Sequence, residues 1–301
     1  MNTEKILKQI ANILSVNLQM ETQAGLLQGK MGIALFFYHY ARYTGNKRYD
    51  FFPEEYMSLA GKYLSFNSEK NITHGMAGLG WGIDYMIRNG FIDAEEDALD
   101  NVDPIIKKVD NRGFIDEIAL NIPLFSKGLY FLQRKNAELV YESLLEVTHF
   151  IKTNPGINIP LMYINSIVYV ASVSPELFRN TSFNDVLPDF LFDIAVKNIN
   201  SEGVDIQDYM LLKKNISLMP EHQASKWSKL LESRNELTLT PDCYWIDFIF
   251  PDGEKAIVNT EKTYAWIQSF LNRLDYEMIS IYKGLAGIGL ATMTSLNDRR
   301  L

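Results

Sequence analysis

The sequence predicts an all-α protein, an α/α toroid of about six or seven helical hairpins with a small inserted β-hairpin, and three observations lead there. A short glycine string recurs three times. Each copy opens a stretch that is apolar on nearly every face. Between the copies lie amphipathic stretches of helical period.

The strings are Gly29-Lys-Met-Gly32-Ile, Gly75-Met-Ala-Gly78-Leu-Gly80 and Gly284-Leu-Ala-Gly287-Ile-Gly289, and the first two anchors stand 46 residues apart. That interval is the length of one two-helix repeat. Carried forward, it meets weaker copies anchored at Pro123, near Tyr163 and near Asp208, which lack the glycine pair. The runs that follow, such as Ile33-Ala-Leu-Phe-Phe-Tyr-His-Tyr-Ala41, belong in an interior, and Gly45 and Gly90 are placed to close two of them in the left-handed conformation.

Amphipathic helices are expected over 53–64, 94–109, 137–152, 188–200, 220–233 and 261–274, with a further polar-faced helix at the amino terminus. The stretch 243–258 breaks the scheme. It is aromatic and β-branched around Pro251-Asp-Gly253, and it reads as a β-hairpin inserted into the long interval before the last glycine string. No Pro/Gly/Ser linker or charge block divides the chain, so 1–301 reads as a single domain.

Composition limits the function classes. Of 301 residues, 47% are hydrophobic and 22% charged, enough to bury a large interior. The net charge of −8 opposes the phosphate neutralisation that nucleic-acid binding needs. The densest apolar stretch, 31–43, is too short to span a bilayer and carries His39 and Arg42, so no transmembrane segment is expected. Charges sit where a signal peptide would need its apolar run, and the single cysteine, Cys243, excludes an internal disulfide framework. The expected location is the cytoplasm.

Hairpins of one outer amphipathic and one inner apolar helix bury their core most simply by closing into a ring. Glycine turns would then gather the inner-helix amino termini at one electropositive mouth. The strings themselves, Gly25-Leu-Leu-Gln-Gly-Lys-Met-Gly-Ile, Thr73-His-Gly-Met-Ala-Gly-Leu-Gly-Trp and Tyr282-Lys-Gly-Leu-Ala-Gly-Ile-Gly-Leu, resemble the repeats of the lanthionine synthetase C-like family. The resemblance implies an α/α toroid. Active members hold zinc at the mouth through two cysteines and a histidine, and add cysteine thiols to dehydrated Ser or Thr of a precursor peptide.

This chain departs from that pattern at the ligands. Where active members carry Cys-His before the last glycine string, it carries Tyr282-Lys283, and the other ligand position has only Cys243-Tyr244 as an echo. The resemblance therefore implies a zinc-less accessory or peptide-binding member, partnered by a precursor peptide or a modifying enzyme. No metal or other cofactor is expected. The mouth residues are Gln28, His74, Tyr282 and Lys283. An active zinc-dependent cyclase is the alternative, and it alone would require zinc. A carbohydrate-active toroid hydrolase is another, resting on Asp84 as the one acid assigned to an inner helix. Cys243 has no nearby His to activate it, and His39, His149 and His222 stand on different helices without ligand spacing. The acidic run Asp93-Ala-Glu-Glu-Asp97 fits a helix start.

Overall fold

The computed structural model describes residues 3–59, 62, 69–174, 187–201, 204–232, 240–270 and 274–297; the regular elements among them are helices joined by loops, with no strand. The chain forms two compact units. One comprises Met1–Val102, Leu239–Ile249 and Ala256–Leu301, the other Asp103–Thr238 and Phe250–Lys255.

The first unit holds all three glycine strings, each at the start of a helix: α2 (Lys30–Thr44), α4 (Met76–Arg88) and α16 (Leu285–Asn297). Every residue from Met31 to Ala41 is buried, as an interior helix requires, and α2 ends at Gly45 with φ 67°. Gly90, φ 62°, likewise follows α4. α1 (Thr3–Asn17) buries Ile6, Leu7, Ile10, Ala11 and Leu14, the three-and-four spacing of one helix face, and packs against α2 and α16. α3 (Phe51–Ser58) covers α2, and α2 in turn packs against both α4 and α16. The last glycine-bearing helix is thus a neighbour of the first.

In the second unit, α7 (Ser126–Gln133), α9 (Leu161–Ser172) and α11 (Ile206–Leu218) stand where the weaker copies were expected. α9 is buried along Leu161–Ala171. The amphipathic α8 (Ala137–Thr153) packs on α7 and α9, with Asn136 capping it by accepting the Leu139 N–H at 3.1 Å. α10 (Phe190–Ser201) and α12 (Glu221–Glu232) match the expected 188–200 and 220–233. α14 (Thr260–Phe270) matches the start of 261–274 in the first unit. Residues 60–61, 63–64, 233 and 271–273 of the expected outer helices lie outside the described residues.

Two expectations fail. The 243–258 segment is not a hairpin. Trp245–Ile249 curls into one helical turn, α13, which sets Trp245 edge-on to Tyr282 and packs Phe248 against Trp81 and Tyr85. Aromatic burial in a helical core outweighs the local preference for strand. The turn itself is real, with Gly253 at φ 80°, but its flanks are joined by side chains instead of a ladder. The Asp247 carboxylate accepts the Ala256 N–H at 2.8 Å, and Tyr244 Oη accepts the Asn259 N–H.

The expected helix 94–109 is also interrupted. It gives a short 3₁₀ turn at Glu96–Leu99 and then α5 (Asp103–Lys107), because Pro104 has no N–H for a helix already running and suits only the start of a new one. α6 (Asn111–Ile118), capped by Asp110, was not foreseen.

Candidate functional site

The glycine strings build the site, and close backbone approach explains their spacing. A Cβ on Gly78 would meet Ile72 O at 2.0 Å and Leu26 N at 2.6 Å; one on Gly32 would meet Leu26 O at 2.4 Å and the Ile281 side chain at 2.7 Å. The fourth residue of the first two strings therefore presses on the carbonyl of its own preceding loop and on the loop of a neighbouring repeat. No side chain fits there.

With the side chains gone, the loops bond to one another through main chain. Gly25, Leu26 and Gln28 donate to His74 O, Ile72 O and Thr73 O at 2.9–3.1 Å, and Tyr282 donates to Leu27 O at 3.0 Å. The first loop is clasped from both sides. Gln28, His74 and Lys283 each immediately precede an anchor glycine, so this register brings equivalent positions of three repeats to one loop cluster.

His74 Nε2 lies 2.8 Å from Gln28 Oε1, and Nδ1 lies 3.6 Å from a Glu69 carboxylate oxygen that also accepts from Asn71 Nδ2 at 3.0 Å. Asn71 Oδ1 in turn accepts the His74 N–H at 2.8 Å. Burial lowers the His74 pKa, and Glu69 opposes that shift. Gln28 is 2% exposed, and its Nε2 has no hydrogen-bond partner. Tyr282 and Lys283 are half-buried, Lys283 at φ 54° with its ammonium 5.1 Å from the centre of the Tyr282 ring.

All four residues singled out from sequence thus sit on interlocked loops, with Gln28 and His74 in direct contact. Glu69 and Asn71 were missed. Asn71, three residues before His74, was the available signal, since an Asn in that place bonds the backbone ahead of a helix.

The helix amino termini are less open than expected. The N–H groups of Lys30, Gly75 and Met76 donate to Gln23 O, Asn71 O and Glu69 O, so the loops cap the helices they introduce. Lys30 instead faces a cleft of about 180 Å³ shared with Leu18, Phe52, Glu55 and Tyr56.

The remaining sequence candidates are tied into structure. Asp84 is buried and ion-paired with Arg88 Nε at 2.5 Å. His39 is held neutral, its pKa lowered to about 4 by burial and by Arg42, with Nε2 2.9 Å from Tyr85 Oη. His149, His222 and the 93–97 acids other than Glu96 are exposed or on the surface of loops and short turns. Cys243 is buried, burial pushes its thiol up to about 11, and Sγ donates to Thr240 O at 2.7 Å. Such a thiol is a poor zinc ligand and nucleophile.

Among the described residues, no group of three His, Cys, Asp or Glu is arranged to hold a metal ion. Tyr282, Lys283 and the buried Cys243 thiol do not make a Cys/Cys/His donor set. No helix among the described residues is long and apolar enough to cross a membrane. Comparison with protein-family models, curated proteins and solved structures returns no match.

One titratable cluster lay outside every sequence expectation. Glu117 of α6, in the second unit, is buried against the start of α7, where Tyr163 Oη donates to it at 3.2 Å and Ser126 bonds it through side chain and backbone. Burial raises its pKa to about 8 against those hydrogen bonds, which leaves it protonated at neutral pH. Next to Ser126, the buried Lys127 donates to Lys107 O and Val109 O and pairs with Glu146.

Proposed function

We propose that this chain is a zinc-less lanthionine synthetase C-like toroid, a peptide-binding or accessory protein in the maturation of a ribosomally made, lantibiotic-like peptide. The loop cluster of Gln28, His74, Tyr282 and Lys283 is its binding face. The observation that carries the reading is the register of three repeats, which sets the residue before each anchor glycine at one cluster while the glycines themselves hold the loops together. A ring returns its last repeat to its first, and the packing of α16 on α2 supports that arrangement.

The partner is the precursor peptide or the enzyme that modifies it, and the setting is the cytoplasm. Cyclase chemistry would need a metal-activated thiolate, for which Tyr282, Lys283 and a protonated Cys243 are the wrong groups. A glycosidase would need two carboxylates free to act, whereas Asp84 is committed to Arg88.

The test is fluorescence anisotropy of labelled precursor peptides, intact and dehydrated, against the full chain. Saturable binding is expected, weakened about tenfold by Tyr282→Ala/Lys283→Ala, the loss of an anchoring contact. Unchanged affinity in that variant removes the site, and no binding to any such peptide removes the reading. Thioether formation on a dehydrated peptide in the presence of added zinc would restore the cyclase.

A further inference from the structure

We propose that the cleft between the start of α2 and α3 binds a free amino acid with an apolar side chain, its carboxylate on Lys30 and its ammonium on Glu55. The site is independent of the loop cluster and of the peptide reading.

The cleft holds about 180 Å³, and three elements wall it: the 3₁₀ turn Leu18–Met20, the first residue of α2, which is Lys30, and α3. On α3 the lining residues are Phe52, Glu55 and Tyr56, continued by Leu59 just past its end, at the three-and-four spacing of one helix face. Glu55 is the departure in that row, since its companions are aromatic or aliphatic. Lys30 brings the opposite charge to the same cleft, yet among the described residues the two side chains are not ion-paired, and neither makes another hydrogen bond. A molecule with one group of each sign bridges them.

The apolar floor is set before a ligand arrives. Tyr56 Oη donates to Ala24 O at 2.8 Å, the Phe52 and Tyr56 rings stack with centroids 6.3 Å apart, and Phe52 meets Phe37 of α2 edge-on at 5.8 Å. The base of Lys30 is held by its N–H on Gln23 O at 2.9 Å. Groups fixed in this way need little ordering when they bind.

Size and charge then narrow the occupant. A cavity of about 150 Å³ takes a benzene ring, whereas drug-sized ligands need roughly 300 Å³ or more. One ring or one branched side chain fits, with the charged groups of its α-carbon at the rim, where Gln19 and Glu55 are exposed. A phosphate would meet one cation and a repelling carboxylate. A wholly apolar ligand would strip water from both charges and return nothing to either.

The experiment is an NMR chemical-shift titration of the full-length chain with L-phenylalanine and, separately, with phenylalaninamide, which lacks the carboxylate, and N-acetylphenylalanine, which lacks the ammonium. Saturable shifts of the Gln19, Lys30 and Glu55 backbone amides are expected with phenylalanine, at a Kd on the order of 1 mM for a ligand this small. Each derivative should bind about fivefold more weakly, as should phenylalanine itself to Lys30→Gln or Glu55→Gln, the contribution of one partly exposed charge pair. In Lys30→Gln, phenylalanine and its amide should bind alike. Melting temperatures establish that the variants fold; should one not, the three probes on the unaltered chain still decide. Absence of saturable shifts at these amides up to about 10 mM, or unchanged phenylalanine affinity in either folded variant, overturns the proposal. So does equal binding of the amide, which would give the cleft to a peptide amino terminus, or of the acetyl derivative, which would give it to a carboxyl terminus.

Discussion

The two units solve the same problem, joining one inner helix to the next, by different means. In the first unit, loops meet main chain to main chain: Gly25, Leu26 and Gln28 bond to the 72–74 carbonyls, and Tyr282 to Leu27. In the second, where the strings have lost their glycines, side chains reach across. Ser166 Oγ accepts the Phe125 N–H at 2.9 Å, Asn165 Nδ2 donates to Asp208 O, and Asn215 Nδ2 donates to Asn165 O at 2.9 Å. In this unit buried polar side chains take the place of main-chain contacts between loops. That exchange keeps the backbone satisfied but adds groups that must themselves be partnered: the Asn165, Asn215 and Gln207 amides each retain one atom without a hydrogen bond.

The sharpest way to break the first arrangement is Gly78→Ala. The added methyl meets backbone on both sides, which cannot rotate away, and a loss of about 3 kcal/mol or more is expected in denaturant unfolding. Gly156→Ala, with open space around it, serves as the control and should change stability little. In the second arrangement, Ser166→Ala leaves the buried Phe125 N–H without its acceptor, at an expected cost of about 2 kcal/mol.

The polar bridges of the second unit should also show in its response to pH. Glu117 titrates at about 8 when folded and near the ordinary carboxylate value when unfolded, so between those values the folded state holds the extra proton. Its contribution to stability therefore falls as pH rises through that window, by at most about 1.4 kcal/mol per pH unit. Glu117→Gln should flatten the slope and make the variant relatively more stable at pH 9 than at pH 5; parallel curves for the two proteins would refute this. The smallest effect belongs to Lys283→Gly, which relieves the left-handed strain and should stabilise by about 0.5 kcal/mol while weakening peptide binding at the loop cluster. A variant that loses binding as it gains stability would separate site from scaffold.

The glycine spacing made the first unit legible in the sequence. It marked the starts of α2, α4 and α16, the closing glycines 45 and 90, and the positions before each anchor that meet in the loop cluster. Periodicity alone recovered α8, α10 and α12. What it could not supply was tertiary context. The 245–249 run has the composition of a strand and becomes helix because Trp245 and Phe248 fill an aromatic interior formed by distant residues. Glu117 looks like any surface acid, and only the arrival of Tyr163 and Ser126 from later in the chain makes it a buried one. Pro104, by contrast, was a visible signal for the break in 94–109.

Hydrogen exchange at the loop amides tests the central claim most directly, since it asks whether the second and last repeats both clasp the first. The amides of Leu26, Gln28 and Tyr282 lie outside helices, yet with Ile72 O, Thr73 O and Leu27 O as acceptors they should exchange as slowly as the buried interior of α2. Exchange at the rate of the exposed loop residue Gly156 would contradict the interlocked loops and the binding face built on them.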